Sequence, residues 1–339
     1  MNKNVRILMV GAGAIGGSTA AFIALAGYDI TIVANREEVA EQIRTKGLNI
    51  SGVLGTHEVI MKAVAKIPEL KGLFDIVFIA TKAYDMPKVA RKLLPFIHDK
   101  SLVVAMQNGI CTDDLAAIVG SNRTIGCVIG YGASMIERGS LLVTSYGEFI
   151  IGGIDKDHKP HLSTIQEILN NVFPTQISDH IFEELYSKLI INSCITSLGA
   201  VCGLKLGKML KIKKARAIFM GIIKEAMNVA KGLKINVPPY AGKLNYYKLI
   251  DDKTAWSRFK ANLIITVVGH KYRHLKSSSL QSLERGQLTE IDYFNGYIVR
   301  KADEIGIDVP INRQLVAMIK KIEAKQLPIQ LSNLDDVQI

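Results

Sequence analysis

The run Gly11-Ala12-Gly13-Ala14-Ile15-Gly16 follows the apolar stretch 5–10 and opens an alanine-rich segment that reaches Ala26. A GxGxxG spacing between a strand and a helix is the fingerprint of a dinucleotide-binding turn. The first glycine permits the tight turn, the second admits a pyrophosphate close to the backbone, and the third lets the helix pack on the strand. Gly11, Ala12, Gly13, Ala14, Ile15 and Gly16 are therefore the candidate cofactor-phosphate residues, with free N–H groups of the helix start facing the anion. The spacing alone is weak, and its strand–turn–helix context gives it weight.

The rest of the first half supports that context. Apolar runs at 29–34, 75–80 and 102–106 alternate with helical patterns at 37–46 and 86–97. Such alternation predicts an α/β Rossmann-like domain with a parallel sheet covered on both faces. Around 124–153 glycine-separated segments, notably 141–144 and 148–151, read as antiparallel strands, and 161–171 reads as a helix. From residue 181 onward long helical patterns dominate, including 215–231, 254–274 and 289–305. A length of 339 residues suits two domains. The expected division is a dinucleotide-binding domain over 1–178 and an all-α domain over 179–339, with Ser178 and Asp179 placed to cap the incoming helix.

The tip of the second strand bears on cofactor choice. An NAD enzyme usually places an acid there for the ribose hydroxyls. Here the strand ends Ile32-Val33-Ala34-Asn35-Arg36. Arg36 can pair with a 2′-phosphate through its planar fork, or be only a solvated first-turn arginine. Glu37 and Glu38 suit the positive end of the next helix. NADP is preferred over NAD.

Charge is uneven. The chain carries 42 Lys and Arg against 31 Asp and Glu, a net +11. Between residues 185 and 280 stand 18 Lys and Arg but only Glu225, Asp251 and Asp252, so this segment carries +15. A solvated basic face, an anionic small molecule, a nucleic acid or an acidic membrane would each fit. The four cysteines form no CxxC pair, which predicts buried thiols in a reducing compartment. The N-terminal apolar run is too short for a signal peptide, and no uninterrupted apolar stretch is long enough for a membrane span. A cytoplasmic location is the default expectation.

In the helical half Lys188, Asn192 and Thr196 recur at i, i+4 and i+8, one helix face, among Leu189, Ile190, Ile191, Cys194 and Ile195. A lysine in apolar surroundings is costly unless paired or functional, and burial beside other cations lowers its pKa toward that of a useful proton donor. A lysine reaching the surface along its stem is the alternative. Ser277-Ser278-Ser279 and Thr289-Glu290 form a second constellation, in which Thr289 could cap a helix and Glu290 would occupy its first turn.

These motifs together resemble the ketopantoate reductase (2-dehydropantoate 2-reductase) family over nearly the full length. The GAGAIGG start, Thr81-Lys82-Ala83, Gln107-Asn108-Gly109, the Lys188–Asn192 helix, the serine cluster and Thr289-Glu290-Ile291-Asp292-Tyr293-Phe294-Asn295-Gly296 carry the likeness. The resemblance implies that Lys188 is the general acid, that Lys82 and Asn108 line the cofactor and substrate cleft, and that Asn192 and Ser278 bind the oxo acid. It implies that Glu290 orients Lys188 and binds the product hydroxyl. Thr196 stands where the family commonly has a second asparagine, Ser282 where an aspartate is common, and Glu284-Arg285-Gly286-Gln287 alters the usual glycine-arginine order. The implied reaction is reduction of ketopantoate to pantoate with NADPH, and a homodimer through the helical half is the implied assembly.

Two other readings remain open on the sequence. The departures at Thr196 and Ser282 suit an NADP-dependent reductase of another 2-oxo acid. The cluster Lys205, Lys208, Lys211, Lys213, Lys214 and Arg216 suits a non-catalytic nucleotide- or nucleic-acid-binding protein. No recognised nucleic-acid motif accompanies it, so neither a nucleic-acid nor a membrane partner is expected.

Overall fold

The computed structural model describes residues 4–155, 159–251 and 254–339, so the basic start at 1–3 lies outside it. Two compact units are distinguished, Met1–Leu185 and Tyr186–Ile339.

The first unit runs β1 (Arg6–Val10), α1 (Ala14–Leu25), β2 (Asp29–Val33), α2 (Glu37–Thr45), β3 (Leu48–Gly52), β4 (His57–Val59), β5 (Lys62–Val64), β6 (Phe74–Ile79), α3 (Met86–Leu93), β7 (Ile97–Ala105), α4 (Thr112–Val119), β8 (Thr124–Ile129), β9 (Gly132–Glu137), β10 (Ser140–Ser145), β11 (Phe149–Gly153), α5 (Lys159–Leu169) and β12 (Thr175–Ile177). The main sheet has the order β12-β11-β8-β7-β6-β1-β2-β5. From β8 to β5 all neighbours are parallel, while β11 is antiparallel to β8. Strand order reverses between β1 and β6, which opens a crevice at the carboxyl ends of those strands. The central strands read as unbroken apolar runs because both faces are covered; Ile7, Leu8, Val77 and Phe78 are all fully buried.

A second sheet, ordered β4-β3-β10-β9, goes beyond what the sequence pattern predicts. It lies against α1: a Cβ added at Gly17 would come within 2.7 Å of Leu141 Cδ1. Leu48, Ile50, Leu141 and Val143 from this sheet join the same core as Ile7 and Ile23. Helix α1 is thus covered on two sides, which is why it has no polar stripe. The helix expected over 86–97 is shorter. Pro95 has no N–H to continue the ladder of α3, so α3 ends at Leu93, a 3₁₀ turn covers Leu94–Phe96, and β7 begins at Ile97.

The second unit is helical: α6 (Ile181–Cys202, which begins in the first unit), α7 (Leu206–Met209), α8 (Lys213–Gly232), α9 (Tyr246–Ile250), α10 (Ala255–Lys271), α11 (Ser278–Glu284), α12 (Asn295–Ile305) and α13 (Pro310–Glu323). Among the described residues α6 alone is long and apolar enough to cross a membrane, and 83% of that window is buried inside the protein. Tyr186, Leu189, Ile190, Cys194 and Leu198 are fully buried on it, so core packing accounts for its composition. None of the four cysteines forms a disulfide, and all are buried.

Helix α13 starts at a buried carboxylate. Glu225 Oε1 accepts from Ile311 N at 2.8 Å, and Glu225 Oε2 accepts from Asn312 N at 2.9 Å and Asn312 Nδ2 at 2.7 Å. The charge sits at the positive end of the helix and satisfies N–H groups that no intrahelical carbonyl can reach. Burial raises the Glu225 pKa, and the hydrogen bonds from Asn312 and Ile311 oppose that rise. Glu225→Ala should cost about 2–4 kcal/mol in urea unfolding, because two buried backbone donors lose their acceptor. A loss under ~0.5 kcal/mol would show that water replaces the carboxylate.

Candidate active site

Gly11 has φ +115°, a conformation that L side chains rarely adopt, and its amide donates to Val33 O at 3.0 Å. A Cβ at Gly11 would stand 2.9 Å from Ala80 O, and one at Gly16 would lie 2.1 Å from Gly11 O and 2.8 Å from Ala80 Cβ. The turn, the start of α1 and the end of β6 therefore meet at backbone distance. Gly13 differs. A Cβ there meets nothing within 4 Å, so the missing side chain leaves open space above the helix start. Helix α1 has no side-chain cap and no acid in its first turn. Its first N–H groups and its dipole are left for an anion, which is the chemistry of a cofactor pyrophosphate.

At the tip of β2, Asn35 adopts φ +65° and Arg36 precedes α2 in extended geometry. The exposed Arg36 guanidinium makes no hydrogen bond or ion pair with a described residue. Glu37 and Glu38 form the first turn of α2, and Glu37 is engaged by Arg44 at 2.6 Å. The site thus offers a cation, and no carboxylate stands at the strand tip itself.

The ends of β6 and β7 complete this half. Gln107 Nε2 donates to Ile79 O at 2.8 Å and to Thr81 O at 3.4 Å, tying the Thr81-Lys82 turn to the Gln107-Asn108 turn. Lys82 and Asn108 are both half-buried. Thr81 Oγ1 and Gln107 Oε1 are buried with no hydrogen-bond partner among the described residues. Beneath the first turn of α1, Tyr131 Oη meets Thr19 Oγ1 at 2.9 Å and Ser18 Oγ at 3.1 Å, and donates to Ile15 O at 3.2 Å. Burial pushes its pKa up to about 12. No local sequence signal marks Tyr131, because its partners lie more than a hundred residues earlier.

In the helical unit Lys188, Asn192 and Ile195 are half-buried while most of α6 around them is fully buried. The polar positions form a stripe on one face, ending at Thr196, which is 5% exposed. Thr196 Oγ1 donates to Asn192 O at 2.7 Å. Behind the stripe, Tyr186 Oη donates to Ala226 O at 2.8 Å and Tyr246 Oη to Ser187 O at 2.7 Å, which fixes the rotation of α6. One turn beyond the stripe, a Cβ on Gly199 would stand 2.5 Å from Ser277 Oγ. Ser277 caps α11, accepting from Leu280 N at 3.2 Å, so the close approach at Gly199 brings the half-buried Ser278 up to the same helix.

Glu290 is 6% exposed, but not in a helical first turn. The expected helix over 289–305 begins only at Asn295; Ile291–Tyr293 is a single 3₁₀ turn that Glu290 precedes. Tertiary anchors replace the expected cap. Glu323 Oε1 accepts from Thr289 N at 2.8 Å and from Thr289 Oγ1 at 2.6 Å, Lys320 pairs with Asp292 at 2.5 Å, and Asn295 Nδ2 donates to Asn312 Oδ1 at 2.8 Å.

A doubly wound sheet with a glycine turn at its switch point, followed by an all-helical unit, defines a dinucleotide-binding protein of the Rossmann class. Comparison with known proteins narrows this. The pattern described as "Ketopantoate reductase PanE/ApbA" matches residues 7–156, and "Ketopantoate reductase PanE/ApbA C terminal" matches 180–323. The 2-dehydropantoate 2-reductase of Archaeoglobus fulgidus is 27% identical over 320 residues, covering 94% of this chain and 98% of its own. That of Pyrococcus abyssi is 28% identical over 323 residues, with the same coverages. Among solved structures, a PanE/ApbA family ketopantoate reductase from Ralstonia eutropha JMP134 superimposes with TM-score 0.80 at 26% identity, covering 94% of this chain and 98% of its own. D-mandelate dehydrogenase in complex with NADH and anilino(oxo)acetate shares the fold, with TM-score 0.82 at 20% identity over 94% of this chain and 98% of its own. The chain belongs to the ketopantoate reductase family, a family of oxidoreductases.

The two glycines of the turn should respond differently to alanine. Gly16→Ala should cost about 1–3 kcal/mol by overpacking, seen as a lower Tm. Gly13→Ala should melt within a degree or two of the parent and lose dinucleotide affinity instead. Equal melting losses would mean that the open space at Gly13 is not there in solution.

Proposed function

We propose that the protein reduces 2-dehydropantoate (ketopantoate) to pantoate with NADPH, in the cytoplasm, supplying pantothenate and coenzyme A synthesis. The single observation that carries this is the polar stripe Lys188–Asn192–Thr196 on a mostly buried helix, met at Gly199 by the turn bearing Ser278. The family match and the two named relatives support the substrate. Gly11, Ala12, Gly13, Ala14, Ile15 and Gly16 hold the pyrophosphate at the start of α1, Arg36 takes the 2′-phosphate, and Lys82 and Asn108 line the nicotinamide end. When bound, the reduced nicotinamide supplies the hydride.

The remaining work falls to side chains of the helical unit. Asn192, Thr196 and Ser278 hold the oxo acid. Lys188 gives a proton to the oxygen that becomes the product hydroxyl and stabilises negative charge developing there. Glu290 orients the Lys188 ammonium and accepts from the new hydroxyl. One observation favours a second reading, a different 2-oxo acid. Thr196 spends its only proton on Asn192 O, so it meets a ligand as an acceptor, whereas an asparagine amide could also donate.

Initial rates with branched and unbranched 2-oxo acids, followed by NADPH and NADH absorbance, decide between the readings. Ketopantoate with NADPH should give the highest kcat/KM, and a hundredfold preference for another acid would overturn the substrate. Arg36→Ala should raise KM for NADPH roughly 10- to 150-fold and leave NADH use almost unchanged. Equal effects on both would remove Arg36 from the 2′-phosphate. Lys188→Ala should lower kcat by about 10²–10⁴ with NADPH binding retained. Glu290→Gln should move the alkaline limb of the kcat profile to lower pH, because an ammonium that loses a neighbouring negative charge gives up its proton more readily. An unmoved limb would separate Glu290 from Lys188.

A further inference from the structure

The basic excess of the helical half is not used by the reaction. Part of it is gathered in one place. Between α7 and the C-terminal part of α10 lies a cleft of about 610 Å³, lined by Lys205, Lys208, Lys211, His270, Arg273 and His274 and by no carboxylate. It lies wholly within the second unit and contains none of the candidate active-site residues. The three lysines recur every third residue, so one side of the α7 turn carries all of them. Two close approaches bring them to the other wall. A Cβ on Gly207 would stand 2.6 Å from Arg273 Cα, and one on Gly269 would stand 2.9 Å from Leu210 Cβ. Leu206 N also donates to Leu275 O at 3.0 Å, fixing α7 against the turn after α10. None of the three lysines forms an ion pair with a described residue, and Arg273 uses its Nε only toward His274 Nε2, at 3.1 Å. The remaining guanidinium donors of Arg273 are left for a ligand.

Holding four permanent cations around one concavity raises the local potential and works against folding unless an anion joins them. The volume falls within the ordinary range for small-molecule sites. Lysines act on phosphate as point charges, and an arginine fork matches two of its oxygens. We propose that this cleft binds a soluble oligophosphate, a small molecule bearing two or three linked phosphoryl groups, at a site separate from that of the reducing cofactor. A second copy of the chain is disfavoured on this face, since two-fold pairing would set cation against cation. An anionic lipid surface shares the phosphate chemistry and is the source to be told apart. The neighbouring outer face of α10 exposes Trp256, Phe259, Leu263 and Val267, but a bilayer needs a convex contact and the cations line a hollow.

The probe is sodium tripolyphosphate, titrated calorimetrically into the full-length protein with NADPH at saturation. One equivalent should bind, more weakly as salt rises. Lys208→Ala and Arg273→Ala should each weaken binding about tenfold, while Lys66→Ala, an exposed lysine outside the cleft, should change nothing. All three side chains are exposed, and unchanged melting curves will confirm folding; if an alanine variant melts early, Lys208→Gln and Arg273→Gln replace it. In parallel, the protein is sedimented with vesicles of phosphatidylglycerol and phosphatidylcholine. Saturable tripolyphosphate binding that the cleft variants lose, without vesicle binding, supports the proposal. No saturable heat at low salt, heat unaltered in the cleft variants, or binding to phosphatidylglycerol vesicles alone would each overturn it.

Discussion

The backbone contact between the glycine turn and the end of β6 is the constraint from which the nucleotide half follows. Because Gly16 has no side chain, α1 sits against Gly11 O and Ala80, and the helix axis is aimed across the crevice where strand order reverses. That placement leaves the amides of the first turn without acceptors. It also leaves α1 so close to the sheet that a second layer, β4-β3-β10-β9, can cover its far side. Tyr131 secures the arrangement from beneath with a neutral hydroxyl. A carboxylate in its place would offset the positive end of the helix.

The helical half solves a different problem, that of keeping polar groups on a buried helix. Helix α6 is held by tyrosine hydroxyls on one side, and its half-open stripe is confined to the other. The segment 289–296 has little regular structure of its own. Its geometry is imposed by Glu323, Lys320 and Asn312, all on α13, and α13 is itself anchored at Glu225 of α8.

Most of the first unit is legible in the sequence because each element carries its own signal: continuous apolar strands, a glycine turn, and acids opening α2. The second sheet is not. Its strands β3 and β4 are short, and β10, the other partner of β3, lies some ninety residues further on, so no local period announces the pairing. The site divides in the same way. Gly11 to Gly16, Arg36 and the α6 stripe are visible as spacing, whereas Tyr131, Gln107 and the Gly199–Ser277 approach exist only through tertiary packing. Thr289 looks like a helix cap in the sequence, yet α12 starts only at Asn295. The Thr289 hydroxyl does accept from Ile291 N, at 3.2 Å, but the chain makes one 3₁₀ turn before the helix begins.

The anchoring of α13 by Glu225 also has a consequence in time. The two residues it joins are 86 and 87 positions away along the chain. Closing so long a loop is slow relative to forming either helix, since the entropy of closure is lost before the contact rewards it. Glu225 Oε2 takes the Asn312 side-chain N–H, while Asn312 Oδ1 accepts from Asn295 Nδ2. The stretch carrying Glu290 is thus tied, through Asn312, to a long-range closure rather than shaped by its own sequence.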